Sequence, residues 1–450
     1  MSINTIAHWV DGELSRGDAA QLADAVCTDS RALKPGALFV ALRGENYDGH
    51  DFIRQAANSG AVGAVVEEAP EDLPENFVVI KTRNTLEALQ RMAAAYLRTL
   101  PMMVINITGS NGKTSTKDFT AAVLATRGAV AKTEGNLNNH IGLPLTILRA
   151  TAMDEFGVFE IGMNHPGEIA PLAKISRPDA GVITNIGVAH IEYMGSQEAI
   201  AKEKGMLAEA VGPDGFVVLP AEDKFTKSIA ARTQAKVVRA GIEKGDVFAT
   251  DVRMENGGSR FIAHGRGSSA EGRIEAPGRH MVRNAMLAVA VGLEFGIPLE
   301  QCMEGLRTAR LTKGRPERKT VRGISILDDS YNANPDSMVA ALETLAQMPG
   351  RHIAVLGQMN ELGAESERGH RRVGEAAGRE KIDCVITVGS VAAAIADAAK
   401  ENGVKHVLTS QNTGEAAAIL RSLARNGDTV LIKGSRSVKM ETIIEELARP

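Results

Sequence analysis

The chain has 450 residues, of which 44% are hydrophobic and 24% are charged, and its formal net charge is −4. This length exceeds one ordinary hydrophobic core, so we expect a globular protein with two or three domains. The slightly negative charge disfavours nucleic-acid binding through a basic surface. Cys27, Cys302 and Cys384 are too few and too scattered for a disulfide framework or a zinc site, which indicates a reducing compartment.

The first residues, MSINTIAHWVDG, contain neither a basic leader nor a long apolar core, so we expect no signal peptide. No uninterrupted apolar stretch approaches the length needed to cross a membrane. We therefore expect a cytoplasmic protein without integral membrane contact.

Residues 1–98 alternate short apolar runs with turn-rich segments. The runs Ala37–Leu42 and Gly63–Val66 predict strands, and the patterns over Phe52–Ser59 and Thr85–Leu97 predict helices. We expect a small α/β domain here.

Residues Val104–Ser115, which read VINITGSNGKTS, form the most informative motif of the chain. The apolar run Met103–Ile107 predicts a buried strand, and a helical pattern runs from Lys113 to about Gly128. A glycine turn between a strand and a helix aims backbone N–H groups at anionic oxygen. An ordinary P-loop has glycine five places before its G-K pair, where this chain has Ile107, so the loop is a shortened variant.

In such a loop Lys113 would neutralise the β- and γ-phosphates of a nucleotide, and the Thr114 hydroxyl would face Mg²⁺. The alternative is an ordinary strand–turn–helix with a solvated lysine. The strand before the loop and the helix after it favour the nucleotide site.

The rest of residues 99–312 continues the α/β pattern, with a β-rich stretch at Lys236–Ile274. Buried strands are predicted at Gly157–Ile161 and Ala180–Thr184. Helices are predicted at Gln197–Ala210, Val282–Phe295 and Leu299–Arg307.

Two polar features of this segment suit a ligand with many oxygen atoms. Asn136, Asn138 and Asn139 lie in a GNLNNHIGLP stretch, which is either a ligand loop or a solvated turn. Glu160 ends a predicted strand, where ligands of parallel sheets gather, so it is either a Mg²⁺ ligand or a water-facing carboxylate.

A histidine and a lysine follow the next predicted strand. His190 leaves the strand Ala180–Thr184, and Lys202 lies twelve residues on, in a helix introduced by Ser196. Local sequence favours a solvated Lys202, and the nearby Lys204 keeps the choice between the two lysines open.

The last third alternates short apolar strands with helical segments, which predicts a doubly wound, mostly parallel sheet. Its strands are predicted at Ile324–Leu327, Ile353–Leu356, Val385–Val388, His406–Leu408 and Val430–Ile432. We expect the hinge before this domain near Lys313, Gly314, Arg315 and Pro316.

The first of these strands runs into DDSYNANP at Asp328–Pro335. An acidic and amide cluster there suits a sugar hydroxyl or a base edge. The alternative is a helix-capping turn, since Asn334 and Pro335 form a good cap and first-turn pair.

With these motifs the chain resembles the Mur ligases along nearly its whole length. Three family patterns fit in order: T-G-x-N-G-K-T at Thr108–Thr114, H-x-x-x-x-G-S-x-x-x-x-x-K at His190–Lys202, and G-x-H-x-x-x-N at Gly278–Asn284.

Four further motifs resemble the branch that adds D-alanyl-D-alanine to UDP-N-acetylmuramoyl-tripeptide. These are DDSYNANP, G-N-x-N-N-x-I-G-x-P-L-T, EIGMN and L-G-x-M-x-E-L-G at Leu356–Gly363. The DNPR motif of the diaminopimelate-adding relatives and the DGAHNP motif of folylpolyglutamate synthases are absent from the sequence.

The resemblance implies an α/β protein of three domains. Residues 1–98 would bind the UDP-sugar, and residues 99–312 would form a central ATP-binding domain with a P-loop-type parallel sheet. Residues 313–450 would form a Rossmann-like C-terminal domain. ATP would bridge the second and third domains, so we expect domain closure during catalysis.

The resemblance also implies roles for individual residues. The loop would bind the ATP phosphates through Gly109, Ser110, Asn111, Gly112, Lys113, Thr114 and Ser115. Thr114 and Glu160 would serve one Mg²⁺, and His190 a second one, with Lys202 as a carbamylated side chain that offers oxygen ligands. Lys113, Glu160, His190 and Lys202 would thus form the catalytic set.

The remaining implied contacts belong to the substrates. Asn284 would read adenine, Arg315 the phosphates and Asp329 the ribose. The UDP-sugar peptide would be held by Ser30, Arg31, Asp48, His50, Asn136, Asn138 and Asn139. Position alone makes Lys433–Ser437 a candidate pocket for D-alanyl-D-alanine.

The implied activity is an ATP-dependent, ADP-forming amide ligation through an acyl phosphate, carried out by a cytoplasmic monomer. Two alternatives stay open at this point: an amide ligase of folylpolyglutamate or cyanophycin type, and a non-catalytic nucleotide-binding homologue.

Overall fold

A computed structural model of the chain describes residues 1–255, 257–312 and 317–449. The chain divides into two compact units. The first unit comprises residues 1–106, 128–162 and 170–178, and the second comprises residues 107–127, 163–169 and 179–450. The predicted hinge at Lys313–Pro316, including Arg315, lies outside the described residues.

Strands and helices alternate along most of the chain. The strands are β1 (Glu13–Arg16), β2 (Ala25–Cys27), β3 (Ala37–Val40), β4 (Gly63–Val66), β5 (Val78–Lys81), β6 (Met103–Thr108), β7 (Val130–Lys132), β8 (Phe156–Glu160), β9 (Ala180–Ile183), β10 (Phe216–Pro220), β11 (Lys236–Ile242), β12 (Val247–Glu255), β13 (Gly258–Gly265), β14 (Ser268–Ile274), β15 (Glu317–Val321), β16 (Ile324–Asp328), β17 (His352–Gly357), β18 (Cys384–Val388), β19 (His406–Ser410) and β20 (Thr429–Lys433). The helices are α1 (Ile3–Val10), α2 (Ile53–Asn58), α3 (Thr85–Leu97), α4 (Lys113–Leu124), α5 (Gly142–Ile147), α6 (Ile169–Ser176), α7 (Ile191–Met194), α8 (Gln197–Ala210), α9 (Thr226–Ala230), α10 (Arg279–Glu294), α11 (Leu299–Thr308), α12 (Pro335–Leu345), α13 (Ser366–Arg379), α14 (Ala393–Glu401), α15 (Thr413–Leu423) and α16 (Glu441–Ala448).

The first unit contains a five-stranded sheet in the order β1-β5-β4-β3-β2. Only its edge pair β1/β5 is antiparallel. Phe39, Ile53, Phe77 and Val79 belong to the core on one of its faces. Gly63 is required where β4 meets β5, because a Cβ atom there would lie 2.4 Å from the Cβ of Val78. The unit also contains the parallel pair β7/β8.

The central part of the second unit begins as a parallel sheet and ends as an antiparallel one. Strands β9, β10, β11 and β12 pair in parallel, and β12, β13 and β14 form an antiparallel meander. The β-rich stretch predicted at Lys236–Ile274 is therefore confirmed. Helix α10 is buried over most of its length and packs on α4, β11 and β12. It begins three residues before the predicted start, after Gly278 at φ +111°.

The last part of the second unit is a six-stranded sheet in the order β15-β16-β20-β17-β18-β19. All its pairs are parallel except β15/β16, an antiparallel hairpin that the sequence did not predict. Alternate residues of the inner strands β16, β20, β17 and β18 enter two separate cores. In β17, for example, Ile353 and Val355 belong to one core, and Ala354 and Leu356 belong to the other. Two buried faces are what a doubly wound sheet requires, and this predicted fold class is confirmed.

Among the described residues, no helix is long and apolar enough to cross a membrane. The domain boundaries at residues 98 and 312 stay predictions, and the two units do not follow them, because residues 128–162 and 170–178 group with the N-terminal segment.

The buried side chain of His370, on α13, links the stability of the protein to pH. The Nδ1 atom of His370 donates to the Ser366 carbonyl (2.7 Å), and its Nε2 atom accepts from the Met359 N–H (2.9 Å). Burial lowers the pKa of His370, so the neutral ring is the form that suits the fold. Since the unfolded chain binds the proton more tightly, this contribution is complete above the unfolded pKa, near 6.5, and declines as the pH falls below it.

His370→Gln should therefore lower the melting temperature more at pH 7.5 than at pH 5.5. The lost hydrogen bond to a buried group corresponds to about 1–3 kcal/mol at the higher pH. Scanning calorimetry at both pH values measures the melting temperatures. His406→Gln, at an exposed position on β19, is the control. Equal shifts at both pH values would contradict this account of His370.

Candidate functional site

The predicted phosphate loop joins β6 to α4 and has the backbone shape that such a loop needs. Gly109 has φ +150°, and a Cβ atom there would lie 1.8 Å from Oγ1 of Thr184, so no other residue fits. Gly112 has φ +78° and is the N-cap of α4, where it supplies no capping side chain. The Lys113 ammonium donates to the Gly109 carbonyl at 3.0 Å. The loop thus presents a helix N-terminus and a cation together.

A second loop, residues 184–190, holds the phosphate loop in place. Asn185 accepts from the Asn111 N–H at 2.9 Å, and its backbone carbonyl accepts from the Ser110 N–H at 3.0 Å. Thr184 donates to the Asn111 carbonyl at 2.5 Å, and the Gly187 N–H donates to the Ser110 hydroxyl at 2.9 Å. Sequence reasoning missed Asn185, although its position directly after a strand of the predicted sheet was a usable signal.

A cavity of about 500 Å³ in the second unit brings most of the predicted ATP residues together. Its walls include the predicted residues Ser110, Asn111, Gly112, Lys113, Ser115, His190, Asn284, Asp329, Lys433, Ser435, Arg436 and Ser437. Thr114 is 3% exposed and does not line the cavity. The amide of Asn284 lies against the phosphate loop, since a Cβ atom on Gly112 would approach it to 2.7 Å.

His190 faces a carboxylate that the sequence did not single out. Its Nδ1 atom lies 2.5 Å from Oε2 of Glu361, which belongs to the L-G-x-M-x-E-L-G motif. Contact with the imidazole lowers the pKa of Glu361. Both residues have left-handed backbone, with φ +63° and +60°, a conformation that is costly for such side chains and is often found at functional sites.

Asp329, predicted to bind ribose, is held by a lysine from the predicted acceptor pocket. The Lys433 ammonium lies 2.5 Å from Oδ2 of Asp329 and donates to the Asn332 carbonyl at 2.9 Å. Lys433 is 2% exposed. Burial and the nearby cations Lys433 and Arg283 lower the pKa of His280 to about 4, so this ring is neutral near pH 7. The cations Lys433 and Arg283 therefore lie close to His280 in the cavity wall.

The two lysines of α8 differ in their surroundings, and the role predicted for Lys202 stays a prediction. The Lys202 side chain is exposed, and neither it nor Lys204 is among the residues that line the cavity. Lys204 is 1% exposed, and its pKa lies well below the ordinary value because of burial and the proximity of Lys113. The sequence contained a signal for this, because Lys204 is four residues after Ile200 and three before Leu207, on the buried stripe of the helix.

In the first unit, two predicted ligands meet directly. Asn138 donates to Oε1 of Glu160 at 2.8 Å, and Glu160 is 2% exposed. Asn139 instead accepts from the N–H groups of Ile141 and Gly142 at the start of α5, as in a capping turn. The third asparagine of this loop, Asn136, is exposed.

The predicted UDP-binding residues form two local pairs in the first unit. Arg31 pairs with Asp29 at 2.8 Å and lowers the pKa of that carboxyl to about 2. Asp48 lies 2.6 Å from Nδ1 of His50, whose Nε2 atom accepts from the Glu67 N–H at 2.9 Å.

The Ser30 hydroxyl donates to Gln55 at 3.4 Å, near the Asp29–Arg31 pair in the chain. These contacts fix the shape of the two turns, and the roles in UDP binding stay predictions.

Within the described ranges, no group of three or more His, Cys, Asp or Glu side chains could hold a metal ion by itself. Mg²⁺ usually takes one or two protein ligands and completes its shell with waters and phosphate oxygens. A nucleotide would therefore have to complete any Mg²⁺ site beside His190.

Three protein-family models match successive segments of the chain. The Mur ligase family catalytic domain matches residues 23–97, the Mur ligase middle domain residues 107–292, and the Mur ligase glutamate ligase domain residues 314–436. UDP-N-acetylmuramoyl-tripeptide–D-alanyl-D-alanine ligase of Bacillus subtilis is 38% identical, with 99% of this chain and 98% of that protein covered.

Two solved structures are similar over nearly their full length. MurF from Acinetobacter baumannii is 32% identical, with a TM-score of 0.91 and coverage of 99% of this chain and 98% of that one. MurF ligase from Thermotoga maritima in complex with ADP is 28% identical, with a TM-score of 0.85 and coverage of 94% and 97%.

Removing the Lys113 ammonium should weaken nucleotide binding without unfolding the protein. A hydrogen bond to a charged group contributes about 1.5–3 kcal/mol, so Lys113→Ala should lower the affinity for ADP roughly tenfold or more. Titration calorimetry with ADP measures this, with Lys174→Ala at an exposed position of α6 as the control. An unchanged ADP affinity in folded Lys113→Ala protein would contradict the role of the loop.

Proposed function

The chain belongs to the Mur ligase family, and on this premise we propose that it joins D-alanyl-D-alanine to UDP-N-acetylmuramoyl-tripeptide with conversion of ATP to ADP, a step of peptidoglycan precursor synthesis. The observation that carries the proposal is similarity to ligases of this name over 99% of the chain. The cavity supports it, because a phosphate loop, His190 and the Lys433–Ser437 segment line one space.

The chemistry follows from the poor reactivity of a carboxylate toward an amine. The terminal carboxylate of the tripeptide would attack the γ-phosphorus of ATP, with ADP as the leaving group, to give an acyl phosphate. The amine of D-alanyl-D-alanine would then attack the acyl carbon, expelling phosphate and losing a proton. Lys113 and the N-terminus of α4 would stabilise the negative charge that crowds the phosphoryl transfer.

Mg²⁺, when bound, would neutralise phosphate charge during this transfer. In the second unit, His190 fits a Mg²⁺ site because it lines the same cavity as the phosphate loop. The assignments of Thr114 and Glu160 to a further Mg²⁺ stay predictions from the family motifs, and so does the contact of Arg315 with the phosphates.

We place the carbamylated lysine at Lys204 instead of Lys202. A carbamate forms when a neutral amine adds to CO₂ and releases a proton. Burial of Lys204 favours the neutral amine, whereas the exposed Lys202 is an ordinary solvated cation. The product is an anion, and the neighbouring Lys113 would stabilise it.

The acceptor pocket is assigned to the end of β20. Lys433 already holds Asp329, so Ser435, Arg436 and Ser437 are the members of the segment that we propose for the dipeptide carboxylate. The cytoplasmic location, the monomeric state and the absence of nucleic-acid or membrane partners stay expectations from the sequence.

The reaction itself should require all three substrates. Release of ADP should depend on ATP, UDP-N-acetylmuramoyl-tripeptide and D-alanyl-D-alanine. Omission of the tripeptide or of D-alanyl-D-alanine should reduce ADP release to background. A coupled ADP assay with mass analysis of the product measures this. Faster turnover with a folate and L-glutamate would favour the folylpolyglutamate type, and no turnover with any pair would favour a non-catalytic homologue.

The two lysines of α8 offer a matched pair of variants. Lys204→Ala should lower kcat by about a hundredfold or more, because it removes a buried group beside the transferred phosphate. Lys202→Ala should change kcat less than about threefold, since exposed substitutions are usually tolerated. Intact-mass and ¹³CO₂ NMR measurements add a readout independent of turnover, with a carbamate signal lost in Lys204→Ala only. The opposite pattern would restore the original assignment of Lys202.

A further inference from the structure

The loop that carries His190 is held by the C-terminal part of the second unit. Oδ2 of Asp336 accepts a hydrogen bond from the Val188 N–H at 3.1 Å. The backbone carbonyl of Glu361 accepts from the Glu192 N–H at 3.2 Å. These two bonds bracket His190 on both sides along the chain, so its backbone position depends on residues more than 140 positions away.

Asp336 is itself oriented from two directions. It is the second residue of α12, whose first turn is fixed by a capping box between Asn334 and Ser337. Its other oxygen, Oδ1, accepts from Nη1 of Arg372 on α13 at 2.8 Å. One carboxylate oxygen thus faces the Val188 N–H while the other is anchored away from the cavity.

The contact is tightly packed as well as hydrogen-bonded. A Cβ atom on Gly187 would lie 2.5 Å from Oδ2 of Asp336 and 3.3 Å from Cβ of Ser110. The Gly187 N–H donates to the Ser110 hydroxyl of the phosphate loop. Asn334, two residues before Asp336, donates to Oδ1 of Asn111 in that same loop at 2.7 Å.

We propose that Asp336, backed by Arg372, is a positioning residue that sets the geometry of the His190 loop against the phosphate loop. This inference rests on the proposed function for its kinetic consequence. Because misplacement of reacting groups by about 1 Å costs roughly a hundredfold in rate, loosening this contact should reduce turnover even though Asp336 takes no part in the chemistry.

Kinetics of three variants test the proposal. Asp336→Ala should lower kcat roughly tenfold to a hundredfold, with less than about a threefold change in the KM for ATP, since the phosphate loop keeps its own bonds. Gly187→Ala should have a similar effect, because its methyl group pushes Asp336 away. In the double variant with Asp336→Ala, the further decrease in kcat caused by Gly187→Ala should be smaller. The carboxylate oxygen that the new methyl group would meet is then absent. Additive effects would contradict direct contact.

A matched pair of arginines on α13 tests the backing interaction. Arg372→Met should lower kcat by a smaller factor than Asp336→Ala, in the same direction. Arg371→Met should leave kcat unchanged, because Arg371 pairs with Glu401 instead. Equal effects of the two variants would argue against an orienting role for Arg372.

Amide hydrogen exchange gives a readout that needs no turnover. Peptides that cover residues 185–192 should exchange at least about tenfold faster in Asp336→Ala, and at the wild-type rate in Arg371→Met. If exchange is faster in Asp336→Ala but the unchanged protein does not ligate the proposed substrates, the contact is supported and only the proposed function is refuted. Unchanged exchange together with unchanged kcat in Asp336→Ala would overturn the positioning role.

Discussion

The site in the second unit depends on the packing of one glycine against one threonine. Gly109 approaches Thr184 so closely that a Cβ atom would lie 1.8 Å from its hydroxyl oxygen. This approach lets the 184–190 loop bond to the backbone of Ser110 and Asn111, and it fixes where α4 begins. The direction of the first N–H groups of α4, and with it any phosphate binding, follows from this one contact.

Buried lysine side chains are the second organising feature of this region. Lys204 and Lys433 are at most 2% exposed, and Lys113 lines the cavity close enough to Lys204 to affect its pKa. Burial of cations is costly unless anions compensate them. Lys433 is compensated by Asp329 within the chain. A carbamate would form on the neutral amine of Lys204, and a bound phosphate would lie beside Lys113, so the proposed chemistry agrees with the surroundings of these two lysines.

The cavity is also built from parts that are distant in sequence. The phosphate loop and His190 come from the central part of the second unit, whereas Asp329, Glu361 and Lys433 come from its last sheet. Asn334 donates to Asn111, and Asp336 accepts from the Val188 N–H, so two hydrogen bonds join the two sets. The cavity walls therefore require both parts of the second unit.

The sequence by itself determined the features that arise locally. Neighbouring residues were enough to predict the strand, glycine turn and helix around Lys113 and the alternating strands and helices of the last sheet. Hydrophobic periodicity and turn chemistry act over only a few residues. The order of the motifs was enough to predict the fold class and the family.

Only the tertiary structure showed that Lys204 is buried and Lys202 is exposed, and only it revealed Glu361 beside His190. Burial depends on which face of α8 meets the rest of the protein, and a contact between residues 171 positions apart leaves no trace in local spacing. Asn139, whose role at the UDP-sugar peptide stays a prediction, accepts hydrogen bonds from the backbone N–H groups of Ile141 and Gly142, a contact that the motif did not specify. Side-chain partners across a fold are set by packing, and packing becomes visible only when the chain is folded.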